Sequence, residues 1–232
     1  MDVLLDGIRQ AIGLLVAGDA ETWEITLLTL RVSLTATAVA ALVGGPIGAA
    51  VALGSFRGRR LLLAAANTGM GLPPVVVGLF VTVLLWRSGP LGALGLLYTP
   101  AAMVLAQAAI ATPVVVALVA AALQQVDPEF LVQMQGLGAG RARALLALVP
   151  EARLPLLAAA MAAFGAVVSE VGAAQMVGGN LAGETRVLTT AAVLATSRGD
   201  FALAIAFGLV LLLLAFVVNL VVTVAGQREH AR

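Results

Sequence analysis

The sequence predicts an all-α integral membrane protein with about five transmembrane helices. Hydrophobic residues make up 61% of its 232 residues and charged residues only 11%, whereas soluble globular domains are about one-quarter charged. The mean hydropathy is +1.07, and almost uncharged runs of about 20 residues, enough to cross a hydrocarbon core, recur along the chain. A transmembrane β-barrel is disfavoured because its strands alternate polar and apolar residues and these runs do not.

Five apolar runs meet the length requirement for a span. They cover residues 25–54, 61–86, 101–126, 156–177 and 201–225. The preceding residues 1–22 are acidic and lack the basic start and small-residue cleavage site of a signal peptide. Their apolar positions, such as Val3 and Ile8, indicate an interfacial amphipathic helix. No repeat or domain boundary stands out, so we expect a single transmembrane domain over residues 1–232.

The second run contains a helix-breaking stretch at its middle. The consecutive Pro73 and Pro74 remove two backbone donors and interrupt a helix. Non-helical backbone at that depth is tolerated only where protein or a water-filled cavity covers it. The break is therefore either a packing kink or part of a translocation pathway, and both interpretations stay open. The candidate pathway residues here are Asn67, Gly69, Met70, Gly71, Pro73 and Pro74.

The fourth run carries the only acidic residue inside an apolar span, Glu170. A charge near the bilayer interior is costly unless it is paired, hydrated or close to the interface. We expect Glu170 to face the bundle interior or a vestibule, with Arg186 or backbone N–H groups as its partner. Structural and pathway roles are equally open, and the candidate residues are Ser169, Glu170, Gln175 and Met176. Three amides, Gln107, Gln175 and Asn219, are predicted to form interhelical hydrogen bonds.

Residues 127–155 form a polar, arginine-bearing interruption between the third and fourth runs. Apolar residues such as Phe130, Met134 and Leu137 recur there at helical spacing. This pattern predicts a short amphipathic helix outside the membrane, whose apolar face needs a partner. The segment is too long for a minimal hairpin.

Arginine placement predicts the orientation in the membrane. With five spans, one side carries Arg57, Arg59, Arg60, Arg141, Arg143, Arg153, Arg228 and Arg232. The other side carries Arg9, Arg87, Arg186 and Arg198. The bias puts the N-terminus outside and the C-terminus in the cytoplasm, so that residues 127–155 are cytoplasmic.

The composition also limits the chemistry. The chain has no Cys, no Lys and only one His, so we expect no metal site, no catalytic residue and no bound cofactor. A Gly-x-x-x-x-Gly-Lys motif is absent, so the sequence shows no Walker-type phosphate-binding loop. The formal net charge is +1, and we expect no nucleic-acid partner.

The segment 127–155 resembles the cytoplasmic loop of ATP-binding-cassette (ABC) importer permeases. The Leu-Gly-Ala-Gly sequence at 137–140, the Arg-rich helix after it and the nearby prolines match, whereas residues 132–134 lack the family's Glu-Ala-Ala triplet. The runs RVSLTATAVAALVGGPIGA, NTGMGLPPVVVGL and SEVGAAQMVGGN followed by TRVLTT are similar to the tungstate-type oxyanion permeases of this family. Molybdate and sulfate permeases share parts of the pattern.

The resemblance implies a type I ABC importer permease fold in the inner membrane. It implies a homodimer on two ATPase subunits that hold ATP and Mg²⁺, fed by an extracytoplasmic binding protein. The cytoplasmic helix is then expected to dock in a cleft of the ATPase. The docking residues it implies are Asp127, Glu129, Met134, Leu137, Gly138, Ala139, Arg141 and Arg143.

Two other functions remain as alternatives. A secondary carrier tends to have inverted repeats and a midplane site with several ionisable groups, whereas this chain shows no repeat and one intramembrane acid. A structural subunit without a substrate path needs neither the broken second span nor Glu170. ATPase activity of the reconstituted complex, stimulated by a loaded binding protein, distinguishes the importer from both.

Overall fold

The structure, a computed structural model, describes residues 2–228, and within that range all regular structure is helical. In chain order the α-helices are α1 Asp2–Ala17, α2 Ala20–Leu53, α3 Arg59–Gly69, α4 Pro74–Leu85, α5 Pro100–Gln124, α6 Pro128–Gly136, α7 Arg141–Glu151, α8 Arg153–Val168, α9 Gly172–Gly178, α10 Leu188–Ser197 and α11 Phe201–Arg228. A short 3-10 turn at Gly92–Leu94 precedes α5.

Three helices, α2, α5 and α11, are each long and apolar enough to cross a membrane. They confirm the first, third and fifth predicted spans. Pro46 lies inside α2 and Pro113 inside α5 without ending either helix. The second and fourth predicted spans are bent helix pairs, α3–α4 and α8–α9.

Small residues bring α2 and α5 close together. A Cβ atom built on Gly44 would lie 3.0 Å from the Thr112 carbonyl oxygen, and one built on Gly48 would lie 2.8 Å from that of Val116. Glycines four residues apart allow two helix backbones to approach in this way. Because the residue numbers increase together along the contact, α2 and α5 are parallel and begin on the same side.

The parallel arrangement decides how often the chain crosses. Since α2 and α5 begin on the same side, α3 and α4 together must return the chain across the bundle despite their bend. The pair α8–α9 crosses as well, because Leu148 and Ala152 before α8 pack with Leu123 at the end of α5, whereas Gly178 at the end of α9 contacts Met103 near its start. The connectivity therefore supports five crossings.

The fourth span departs from the single helix expected over residues 156–177. The chain bends by 60° between α8 and α9, and the bend comprises the residues between Val168 and Gly172, which include the buried acid Glu170. The sequence has no proline there, and the break is fixed instead by hydrogen bonds of the Glu170 side chain.

The N-terminal residues form the predicted helix, α1. It packs along α11, and Gly7 lies so close to Ile205 that a Cβ atom there would be 2.5 Å from the Ile205 side chain. Ala11 is also buried, whereas other apolar residues of α1, such as Leu4 and Ile12, are exposed. Location at the membrane interface stays a prediction.

The segment 127–155 forms two short helices, α6 and α7, rather than one. Leu148 and Ala144 of α7 are buried, and Phe130 of α6 packs on the same cluster. The chain itself thus covers part of the apolar face that was predicted to need a partner. Another apolar helix, α10, was not predicted.

Candidate functional site

The break between α3 and α4 lies at half-height of the bundle. The two helix axes differ by 103°, so the break is a sharp turn and not a slight kink. A Cβ atom built on Gly69 would lie 2.6 Å from the Cβ atom of Pro113, near the middle of α5. Only glycine permits this contact without a shift of the proline.

The backbone of this break is satisfied locally. The N–H groups of residues 70, 71 and 72 donate to carbonyl oxygens three or four residues earlier, at 3.0 to 3.2 Å. The two prolines that follow have no N–H group to satisfy. The break therefore avoids the cost of unpaired backbone donors that would arise in lipid.

A cavity of about 250 Å³ lies beside the break. Residues 69–74 form one side of it, and Ile110, Val114 and Ala166 from α5 and α8 form the other. The Met70 side chain is 45% exposed, and the Asn67 side chain is exposed on α3 outside the cavity. The structure thus brings five of the six residues predicted here to one cavity and leaves Asn67 apart.

Glu170 holds the second break. Its side chain is only 5% exposed. One carboxylate oxygen accepts the Ala173 N–H at 2.7 Å, and the other accepts the Ala174 N–H at 2.9 Å. These are first-turn donors of α9, which have no partner inside the helix, and a carboxylate is favoured at a helix N-terminus. Glu170 is therefore a capping group at the bend.

Two partners were expected for the Glu170 carboxylate. The prediction of backbone N–H groups is confirmed, and the prediction of Arg186 is wrong. Arg186 binds Glu21 instead, with 3.0 Å between the guanidinium nitrogen and a carboxylate oxygen. The Glu170 carbonyl oxygen also accepts the Thr189 hydroxyl at 3.0 Å. That bond fixes the bend to the start of α10, which the sequence alone did not indicate.

The helices that follow the two breaks, α4 and α9, pack directly against each other. A Cβ atom built on Gly78 would lie 2.6 Å from the Cα atom of Ala173, and one built on Gly172 would lie 2.6 Å from the Val75 side chain. Sequence reasoning missed both glycines, although a glycine inside an apolar helix is a signal of close backbone approach. The two candidate pathway segments therefore lie next to each other in the fold.

The remaining predicted residues of the second segment differ in exposure. The Ser169 side chain is exposed, and its hydroxyl donates to the Gly165 carbonyl oxygen at 2.7 Å. Gln175 is exposed, while Met176 is half-buried near Gly78. No residue of either segment is basic, so the arrangement offers neutral polar groups and backbone but no guanidinium.

The prediction of interhelical hydrogen bonds is wrong for the side-chain oxygens of two amides. Gln107 is 98% buried on α5, and its side-chain oxygen has no hydrogen-bond partner among the described residues. The Asn219 side-chain oxygen on α11 is likewise buried without a partner there. The predicted interhelical hydrogen bonds of these two oxygens are therefore not formed within the described part of the chain.

The predicted docking segment presents a mixed surface. Asp127 accepts the Glu129 N–H at 2.9 Å and caps α6. Gly138 has φ +84 and open space around its Cβ position. A glycine is favoured at position 138 because it adopts this left-handed backbone conformation at little cost. Leu137 beside it is 82% exposed.

The other docking candidates are spread over the two helices. Glu129 and Arg143 are exposed, Met134 and Ala139 are half-buried, and the side chain of Arg141 lies outside the described part. The structure groups most of them around the α6–α7 turn. Among the residues that the structure describes, none apart from its chain neighbours lies within 4 Å of the Cβ position at Gly138 in this turn.

Comparison with known proteins identifies a family match and similar transport permeases. Residues 44–230 match the family of binding-protein-dependent transport system inner membrane components. The tungstate uptake system permease protein TupB of Peptoclostridium acidaminophilum is 39% identical over 222 residues, which cover 96% of this chain and 97% of that protein. A probable anion ABC transporter permease protein of Haloferax volcanii is 40% identical over 201 residues, 84% of this chain and 87% of that one.

A solved structure shows the same fold. The MetNI methionine ABC transporter in an inward-facing conformation superposes with a TM-score of 0.64, covering 90% of this chain and 93% of that chain at 19% identity. At that identity the likeness establishes the fold of an ABC importer permease and nothing about the substrate. Together with the family match, which covers most of the sequence, it shows that this chain belongs to the inner membrane components of binding-protein-dependent transport systems.

Proposed function

We propose that the chain is the membrane-spanning permease subunit of an ATP-driven importer that moves a tetrahedral oxyanion. Tungstate is the first candidate, and molybdate is the alternative. The observation that carries the proposal is the similarity over nearly the full length of both chains to a permease named for tungstate uptake. Because the sequence has no Lys and no phosphate-binding motif, ATP and Mg²⁺ belong to a separate ATPase subunit.

The pathway in this proposal runs along the two helix breaks. They meet through α4 and α9, and the polar or exposed residues there, such as Met70, Ser169 and Gln175, carry no charge. A doubly charged anion would be held strongly by clustered Arg side chains, so a route without them binds it weakly. Selection then lies with the binding protein. Glu170 does not contact the anion, since both its oxygens accept backbone N–H groups.

A second copy of the chain completes the route. Helix α4 has a broad exposed apolar face that includes Val75, Leu79, Phe80 and Val83. Helix α4 begins directly after one break and packs against α9, which follows the other. We place this face toward the two-fold axis of a homodimer, so that the pathway lies between the copies.

The ATPase docks at the turn between α6 and α7. The apolar residues Val132 and Leu137 are exposed on α6 and at its end, while Ala144 and Leu148 of α7 are buried. Exposed apolar residues of this kind mark an interaction surface. The turn is cytoplasmic in the orientation that the arginine bias favours, with the N-terminus outside.

Reconstitution tests the function. The permease, its ATPase and its binding protein are placed in vesicles, and uptake of tungstate, molybdate and sulfate is followed by elemental mass spectrometry. We expect uptake only with ATP inside and loaded binding protein outside. Uptake without ATP would identify a secondary carrier, and no uptake with normal assembly would identify a structural subunit.

Orientation is tested separately with tags at residues 1 and 232, outside the described range. In spheroplasts, added protease should reach the first tag and not the second. A protected first tag would mean that the chain crosses the membrane in the opposite sense or a different number of times.

A further inference from the structure

A second cavity, of about 520 Å³, lies between α1, the starts of α2 and α11, and α10. The pathway and docking surfaces leave it unused. Charged residues form its rim, namely Asp19, Glu21, Arg186, Arg198 and Asp200. Its remaining lining is mainly apolar and includes Leu14, Leu194, Leu203 and Phe207. The cavity therefore offers charge at one end and apolar surface at the other.

Two of the three carboxylates of the rim, Asp19 and Asp200, are fixed in place by local hydrogen bonds. Asp19 accepts the N–H and the hydroxyl of Thr22 at 2.8 and 2.6 Å, and the hydroxyl bond in particular lowers the pKa of its carboxyl. Asp200 accepts the Leu203 N–H at 3.0 Å at the start of α11. Each carboxylate keeps lone pairs that can accept further bonds.

The two arginines have donors to spare. Arg186 uses one terminal nitrogen on Glu21, while its Nε is buried without a hydrogen-bond partner among the described residues. Arg198 is exposed and makes no ion pair within the described part of the chain. Guanidinium groups with free donors recognise phosphate oxygens well.

The cavity lies where a lipid headgroup would be. It sits beside the first residues of both α2 and α11, two long apolar helices that begin on the same side. Trp23 and Phe201 at these helix starts are 43% and 55% exposed, and aromatic side chains at helix ends are typical of the membrane–water interface. The charged rim is thus at headgroup level, and Leu203 and Phe207 lie at the top of the hydrocarbon.

The charges on the rim match a zwitterionic headgroup better than an anionic one. Three carboxylates and two guanidinium groups leave a surplus of negative charge, which disfavours a purely anionic lipid. We propose that the cavity binds an aminophospholipid of the phosphatidylethanolamine kind. Its phosphate accepts from the guanidinium groups of Arg186 and Arg198, its ammonium group donates to Asp19 and Asp200, and an acyl chain lies on Phe207.

Lipid retention tests this site and does not depend on which ion the protein transports. Full-length chain, with any subunits that co-purify, is placed in nanodiscs of equal phosphatidylethanolamine and phosphatidylglycerol, extracted, and analysed by native mass spectrometry. We expect bound phosphatidylethanolamine in excess of phosphatidylglycerol. Arg198→Ala should lower its retention by about tenfold, as expected for a lost hydrogen bond to a charged group. Arg87→Ala, another exposed arginine away from the cavity, is the matched control.

A second variant separates charge from folding. Asp200→Asn keeps a residue that caps a helix well but removes the charge that faces the ammonium group, so the preference for phosphatidylethanolamine over phosphatidylglycerol should fall. Equal retention of the two lipids by the unaltered protein would overturn the proposal, as would unchanged retention in Arg198→Ala. A loss of binding-protein affinity in Arg198→Ala with lipid retention intact would also overturn it and assign the rim to a protein partner.

Discussion

Glu170→Gln is the most informative single substitution at the candidate pathway. The glutamine side chain has nearly the same size, but it replaces one of the two carboxylate oxygens by an NH₂ group. One of the bonds to Ala173 N–H and Ala174 N–H is then lost, because two donors face each other, and the other bond becomes neutral. Hydrogen bonds to charged groups contribute about 1.5–3 kcal/mol, and a buried donor left without a partner costs about 1–3 kcal/mol.

The bend between α8 and α9 should therefore be weakened by about 2–4 kcal/mol, against a total stability that is itself only about 5–15 kcal/mol for ordinary domains. The bond from Thr189 to the Glu170 carbonyl oxygen is untouched, so the chain should still fold and assemble. Since the bend positions α9 against α4, we expect looser coupling, with more ATP hydrolysed per imported ion.

The measurement is the ratio of ATP hydrolysed to ion imported in vesicles, together with the thermal unfolding midpoint of the purified complex. Glu184→Gln is the matched control, because Glu184 is exposed and its loss should change neither quantity. A Glu170→Gln protein with normal coupling and a normal unfolding midpoint would refute the capping role of the carboxylate.

Three further outcomes are expected. Gly78→Ala should lower the thermal unfolding midpoint and the transport rate, because its new Cβ atom would lie 2.6 Å from the backbone of α9. Gly165→Ala is the control, since its Cβ position has open space and neither quantity should fall. Equal unfolding midpoints and transport rates in the two variants would contradict the close contact. Gly138→Ala should reduce co-purification of the ATPase subunit, since φ is +84 there and a left-handed conformation costs a non-glycine residue about 1–2 kcal/mol. Gly136→Ala, in the last turn of α6 with open space, is its control, and equal co-purification would remove the turn from docking. Met70→Cys, in a chain without native cysteine, should react with a water-soluble thiol reagent in at least one nucleotide state. A cysteine on the lipid-facing side of α11 is the control and should not react. If Met70→Cys reacts in no nucleotide state, Met70 is not part of the pathway.

Some features followed directly from local chemistry. Long uncharged runs can satisfy their backbone only as helices in lipid, which is why α2, α5 and α11 were recognised. Pro73 and Pro74 remove two adjacent donors, so a break in the second span was predictable from two residues.

Other features depended on groups far apart in the sequence. The break after Val168 carries no proline, and the helix start that receives the Glu170 carboxylate becomes visible only in the folded chain. Arg186 was an equally reasonable partner from its charge, but its position after α9 directs it to Glu21, 165 residues away in the sequence. Helix α10 has only ten residues, too few to span a membrane, and its start is held by Thr29 and Glu170.

The sequence by itself determined that the long apolar runs are helical, that Pro73 and Pro74 interrupt one of them, and that the protein belongs in a membrane, because these properties depend on the solvation of each residue and its near neighbours. Only the tertiary structure decided the bend angles of α3–α4 and α8–α9, the partner of Glu170, and the meeting of Gly78 with Ala173. These three features depend on which helices pack against each other. How closely two helices pack depends on the side chains of both, which can lie far apart in the sequence.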